Sequence, residues 1–104
     1  MLMQRKKKSG KHAFERYFMD TVKEGKVEDV KHFIEMGVNI NIKDKYGRTA
    51  LMHAILRDDI EMVRLLIENG ADLNATDMYG RTVLEIADEN DYEIAEIIKR
   101  KMKD

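Results

Sequence analysis

Residues 44–76 read DKYGRTALMHAILRDDIEMVRLLIENGADLNAT, and at residue 77 the wording restarts as DMYGRTVLEIADENDYEIAEIIKRKMKD. The offset is 33 residues. Asp44-Lys45-Tyr46-Gly47-Arg48-Thr49 becomes Asp77-Met78-Tyr79-Gly80-Arg81-Thr82, with one substitution in six. A further 33 residues back, a weaker copy falls into register from Lys11, with Val27, Phe33, Gly37 and Asn41 over Ile60, Leu66, Gly70 and Asn74. Self-similarity at a fixed period of this length marks a stack of small units rather than a globule built around one pocket.

The unit can be read from its residues. Asp-x-x-Gly-Arg-Thr joins turn formers to a Thr placed to cap the helix that follows. Leu51, Ala54 and Ile55 stand at i, i+3 and i+4, one face of a short helix. Arg57-Asp58-Asp59 breaks that face and predicts a helix–helix connection. Ile60, Val63, Leu66 and Ile67 supply the stripe of a second helix, and Gly70 stands where a left-handed C-terminal cap is easiest. Turn, helix, loop, helix is the expected order. A helix pair this small cannot bury both of its faces, so each unit needs a neighbour.

The period and these residues together resemble the ankyrin repeat, whose pattern runs D-x-x-G-x-T-P-L-H-x-A, then V-x-x-L-L, then G-A-D-x-N. Asp44, Gly47, Thr49, Leu51, Ala54, Val63, Leu65, Leu66, Gly70, Ala71, Asp72 and Asn74 match it. The likeness covers residues 11 to 104. It implies an all-α solenoid of stacked helix-turn-helix units with short β-hairpin fingers. Two departures stand out: Ala50 and Val83 replace the usual Pro, and Met52 and Glu85 replace the usual His. That His helps tie the turn to its neighbour in the family, so its loss implies looser junctions here.

The chain is expected to divide into a flexible basic arm, residues 1–11, and a repeat domain, residues 12–104, with repeats at about 12–43, 44–76 and 77–104. The outer repeats carry the marks of caps. In the first, Phe14, Glu15 and Arg16 stand where Gly47, Arg48 and Thr49 stand later, so the finger is missing. Phe14, Tyr17, Phe18, Thr21 and Val22 make a broad helical stripe, and Val38 to Ile42 alternates like a strand. In the third, Met52, Ile55 and Leu56 become Glu85, Asp88 and Glu89, and the second helix aligns at an offset of 32, ending in a basic run through Lys103. Polar residues where a fourth repeat would pack predict two caps around one full repeat.

Composition narrows the function. The 104 residues have no Cys, which excludes disulfides and thiolate chemistry. The start MLMQRKKKSGK lacks an apolar h-region, so it does not read as a secretory signal, and no run reaches membrane-spanning length. An intracellular, cytoplasmic location is the expectation, and Asn74-Ala75-Thr76 is read as turn rather than glycosylation acceptor. The net charge of −1 hides an uneven spread: residues 1–11 hold five basic groups and no acid, while residues 12–98 hold 10 basic against 19 acidic residues. His12, His32 and His53 lack metal-ligand spacing, so no metal and no cofactor is expected. The carboxylates belong to loops and exposed faces, and a catalytic pair needs a pocket that separates its pKa values. The reading is therefore of a protein that is not an enzyme.

The resemblance implies protein binding through the concave surface of finger tips and first helices, as in an adaptor or scaffold. Mapped residue by residue, that surface comprises Lys45, Tyr46, Arg48, His53, Leu56 and Arg57 in repeat two, and Met78, Tyr79, Arg81, Glu89 and Asn90 in repeat three. His53 lies one place after the family's His and reads as a partly exposed surface residue. Tyr and Arg are frequent interface anchors, and here they recur on adjacent fingers. Two other readings compete. Arg5 to Lys8 offers four adjacent cations for a nucleic acid or anionic surface, though no aromatic lies among them for stacking. An engineered or scaffold ankyrin without a natural ligand is the third, and consensus designs keep the Pro and His that this chain lacks. The protein is expected to act as a monomer on one protein partner.

Overall fold

A computed structural model describes the backbone of residues 2–104 and the side chains of residues 13–104. Six helices run in chain order: α1 (Leu2–Lys23), α2 (Val27–Glu35), α3 (Ala50–Leu56), α4 (Ile60–Glu68), α5 (Val83–Asn90) and α6 (Tyr92–Lys103). They pair as α1 with α2, α3 with α4 and α5 with α6, and the first helices stack as α1, α3, α5. This is the all-α repeat solenoid that the period predicts. The basic arm expected over residues 1–11 has its side chains outside the described residues.

Local chemistry sets the helix starts. Thr49 accepts from the Met52 N–H, and Thr82 accepts from the Glu85 N–H, as a capping Thr should. Asp59 and Asp91 do the same for the second helices, taking the Met62 and Ile94 N–H groups. Helices α3 and α5 also close a reciprocal box. The Glu85 carboxylate accepts the Thr82 N–H at 2.9 Å, and the Met52 thioether stands 3.5 Å from the Thr49 N–H. The residues that replace the family's His thus bond within their own finger–helix junctions rather than to the neighbouring repeat.

The fingers differ from the expected hairpins. Among the described residues no strand forms, and one isolated antiparallel bridge joins Thr76 to Thr82. The reason lies in an aspartate. Asp44 Oδ1 accepts the N–H groups of Tyr46 and Arg48 at 2.9 and 3.0 Å, and Asp77 Oδ1 accepts those of Tyr79 and Arg81 at the same distances. Backbone donors that a ladder would need are already taken by side chains. Val38 to Ile42 is likewise not a strand. Asn39 Oδ1 accepts the Asn41 N–H at 3.1 Å and turns the chain at that point.

The core is a single apolar seam between layers. Phe18, Val22, Val30, Leu51, Ala54, Ile55, Val63, Leu66, Ile86, Ala87, Ile94 and Ile98 are fully covered or nearly so. Met19, Met52 and Met62 fill the gaps among them, as expected of thioethers. Tyr17 departs from the expected stripe of α1 and stands 60% exposed. One period on, its counterpart is Ala50, which packs against the preceding layer, so Tyr17 points to the end of the stack. Phe33 closes that end by packing on Phe14 and Phe18, with ring centroids 5.2 and 6.0 Å apart.

Neighbouring repeats are also tied by polar contacts. The Met78 N–H donates to the Tyr46 carbonyl at 3.1 Å, joining one finger to the next. Asn41 donates to the Gly70 carbonyl and accepts the Asp72 N–H, and Lys43 reaches the Thr76 carbonyl. Gly47 sits at the closest approach: its φ is 75°, and a Cβ there would stand 2.9 Å from the Met78 nitrogen. Gly80 has a φ of 78° and open space around it.

Two stability differences are expected. Gly80→Ala should cost only the left-handed penalty of about 1–2 kcal/mol, while Gly47→Ala also forces the fingers apart and should lower the melting temperature further. Leu66→Ala should cost about 2–5 kcal/mol, because its side chain is fully buried between layers. Urea unfolding of the three variants beside the parent checks both.

Candidate functional site

The finger tips present the largest exposed side chains of the face they share with the first helices. Tyr46 is 49% exposed, Met78 58% and Tyr79 71%. Two of these rings carry a neighbouring cation. Lys45 Nζ lies 5.3 Å from the Tyr46 ring centroid, and the Arg81 guanidinium lies 5.8 Å from that of Tyr79. The Met78–Tyr46 backbone bond sets the two fingers side by side, so Tyr46 and Tyr79 belong to one ridge. Lys45, Leu56, Glu89 and Asn90 are exposed along the same fingers and helix ends.

Several expected surface residues turn out to be committed to the fold. His53 is turned inward: its side chain is 13% exposed, and Nε2 stands 2.7 Å from Asp44 Oδ2. It fastens α3 to its own finger instead of standing at the surface. Arg57 donates to the Lys23 carbonyl at 3.0 Å and lies across the α1–α2 turn, where a Cβ on Gly25 would meet its Nε at 2.8 Å. It clips repeat two to repeat one. Arg81 is bonded through Nε and Nη2 to Asp77 Oδ2, and through Nη1 to Glu89 at 3.1 Å. Asn90 uses its amide on the Ile86 carbonyl at 2.7 Å. Arg48 is half-buried.

A shallow groove of about 400 Å³ opens between α1 and the first finger. Glu15, Arg16, Asp20 and Lys23 line its α1 side, and Lys43, Lys45 and Tyr46 its finger side. The α1 residues were not expected in the sequence reading. A signal for one existed: the 33-residue register aligns Lys23 with Leu56 and Glu89, the two helix-end positions assigned to the binding face.

The electrostatics follow from these partners. Burial pushes the Asp44 carboxyl up, but the His53 bond and the Arg48 and Tyr46 N–H groups outweigh it and hold the pKa below its ordinary value. Burial holds the His53 imidazole below its ordinary value; Asp44 opposes this, while the charges of Lys23 and Arg48 add to it. A neutral ring makes the bond with its proton on Nε2. Asp77 is likewise lowered: burial raises it, and the backbone of Arg81 and Tyr79 with the Arg81 side chain prevails. At the loop between the helices of repeat two, Asp58 is raised by a bond to Asp91 of the next repeat, and Asp91 is lowered in turn. These loops are solvated, and no group of three or more His, Cys, Asp or Glu suited to a metal ion occurs among the described residues.

The spacing, the helix pairs and the stacking all describe one kind of molecule, and residues 18–104 match the family model "Ankyrin repeats (3 copies)". The chain is an ankyrin repeat protein. No match was found among curated proteins. Ankyrin repeats are generally protein–protein interaction modules and typically carry no catalysis. In this ankyrin chain no described helix is long and apolar enough to cross a membrane.

The Asp44–His53 bond predicts a pH dependence. A His53 pKa lowered in the folded ankyrin stack means that the unfolded chain binds more protons just below the ordinary histidine value of about 6.5. Stability should therefore fall as pH drops through 6.5. The lowered Asp44 pKa adds a second loss below about 3.8, as the carboxylate is protonated. His53→Gln should flatten the first decline and reduce the Asp44 part of the second, leaving the part that Asp77 contributes. Melting temperatures from pH 7.5 to 3 for parent and variant measure it.

Proposed function

We propose that this protein is a non-catalytic interaction module that holds a protein partner across its finger tips and first helices. The observation that carries the reading is the exposed Tyr46–Met78–Tyr79 ridge, whose two fingers are locked together by the Met78–Tyr46 backbone bond. Aromatic side chains on a rigid support bind with little loss of conformational entropy, which suits them to anchoring an interface. The α1 groove continues this surface toward the first repeat with a mixture of acidic and basic side chains. A patch of about 800 Å² per partner is the usual scale of a specific contact, and three repeats offer room for one such partner. Binding by occlusion or by bridging, as a monomer inside the cell, is the mode in keeping with this small surface.

The test is affinity capture from a lysate of the source cell, with the parent beside Tyr46→Ala/Tyr79→Ala and a truncation lacking residues 1–8. The double variant should lose the captured protein by more than tenfold while its helical circular dichroism stays unchanged. The truncation should keep it. Equal capture by the folded double variant would remove the ridge from the interface, and salt-sensitive nucleic acid recovered only with the arm present would move the function there.

A further inference from the structure

Repeats two and three carry the same finger residues, yet their arginines end differently. In repeat three the Arg81 guanidinium is engaged on every side, by Asp77 Oδ2, by Glu89 Oε1 and by the Tyr79 ring. The 33-residue register puts His53 where Ile86 stands and Leu56 where Glu89 stands. Both changes act on Arg48. His53 occupies Asp44 Oδ2 at 2.7 Å, so the oxygen that Arg81 uses on Asp77 is taken. Leu56, 38% exposed, has no oxygen to offer where Glu89 closes the other end.

Arg48 is left with a buried Nε–H that has no acceptor, and it makes no ion pair among the described residues. The covered Nε–H is out of reach of an outside ligand, so a partner carboxylate would meet the Nη groups of this half-buried side chain, where the bond is strong and charge-assisted. The surroundings favour the same sign of ligand. Lys45 stands on the tip of the same finger, and Lys23 at the end of α1 lines the same groove. Asp44 is already occupied by His53 and two backbone N–H groups.

We propose that Arg48 receives the carboxylate of an Asp or Glu from an acidic segment of the protein partner, in the role that Glu89 plays on Arg81. The inference rests on the finger face being the binding surface, and it names the chemistry of what binds there. Tyr46 is exposed on the same finger and Leu56 is exposed at the register position of Glu89, so the preferred segment sets an acidic residue beside an apolar one. Glu15 and Asp20 on the far wall of the groove count against a polyphosphate, which would bring charge to them as well.

A random peptide display library panned against the full chain tests it, with enriched peptides synthesised and titrated. The parent should enrich sequences with Asp or Glu beside an apolar residue. Arg48→Met should weaken the best of these more than tenfold without a lower melting temperature. Arg48→Lys, which keeps the charge and loses the fork, should fall between. Arg48→Glu should turn the enrichment toward Lys and Arg. Absence of acidic enrichment, or neutral peptides that bind through Tyr46 and Tyr79, would overturn the role of Arg48 and leave the finger face standing. Peptides that bind the Tyr46→Ala/Tyr79→Ala variant equally well would overturn the finger face itself. A single-stranded oligonucleotide that outbinds the best peptide, and is lost in Arg48→Met, would overturn the acidic peptide in favour of nucleic acid.

Discussion

Each of the two fingers is built around one carboxylate, buried at Asp77 and half-buried at Asp44. Asp44 and Asp77 accept two backbone N–H groups apiece through one oxygen and hold a cationic or imidazole side chain with the other. That arrangement closes the turn without a strand ladder and leaves the tip residues facing outward. It also ties the finger to the helix behind it, through His53 in repeat two and through Arg81 and Glu89 in repeat three. Removing either carboxylate would release several donors at once, which is why the rest of the inner face depends on it.

Stacking then converts short helices into a stable body. Helices of seven to nine residues are marginal by themselves. Their apolar stripes are covered only when α1, α3 and α5 lie side by side with α2, α4 and α6 behind them. Small residues make the close approach between first helices, with Ala50, Ala54 and Ala87 all fully covered. The polar clips lie at the margins of this seam: Asn41 to the Gly70–Asp72 loop, Arg57 to the end of α1, and Lys43 to Thr76. Each spans two repeats, so the layers hold a defined register as well as a buried area.

The inner face that results is chemically graded. Its first-repeat end holds Arg16, Lys23, Lys43 and Lys45 with Glu15, Asp20 and Asp44, its middle holds the Tyr46–Met78–Tyr79 ridge, and its third-repeat end holds Glu89 paired with Arg81. Repetition of one motif has therefore not produced a uniform surface. The same Tyr-Gly-Arg-Thr turn is satisfied internally in repeat three and left open in repeat two. That difference gives the face a direction, and a partner lying across it would meet cations and carboxylates in a fixed order.

The sequence by itself determined the period, the helix pairs and the buried stripes. These rest on local chemistry: Thr49 and Thr82 cap their own helices, Gly70 takes the positive φ expected of it, and Leu66 or Ile98 has no polar alternative to burial. Exposure of Tyr46, Met78 and Tyr79 was legible too, because a turn tip has no neighbour to cover it. The tertiary structure alone decided how polar side chains were shared. His53 takes the Asp44 oxygen whose counterpart on Asp77 pairs with Arg81, and Arg57 finds a carbonyl in the preceding repeat. Such choices depend on which acceptor lies within about 3 Å once the layers have docked. Residue spacing along the chain carries no record of that distance.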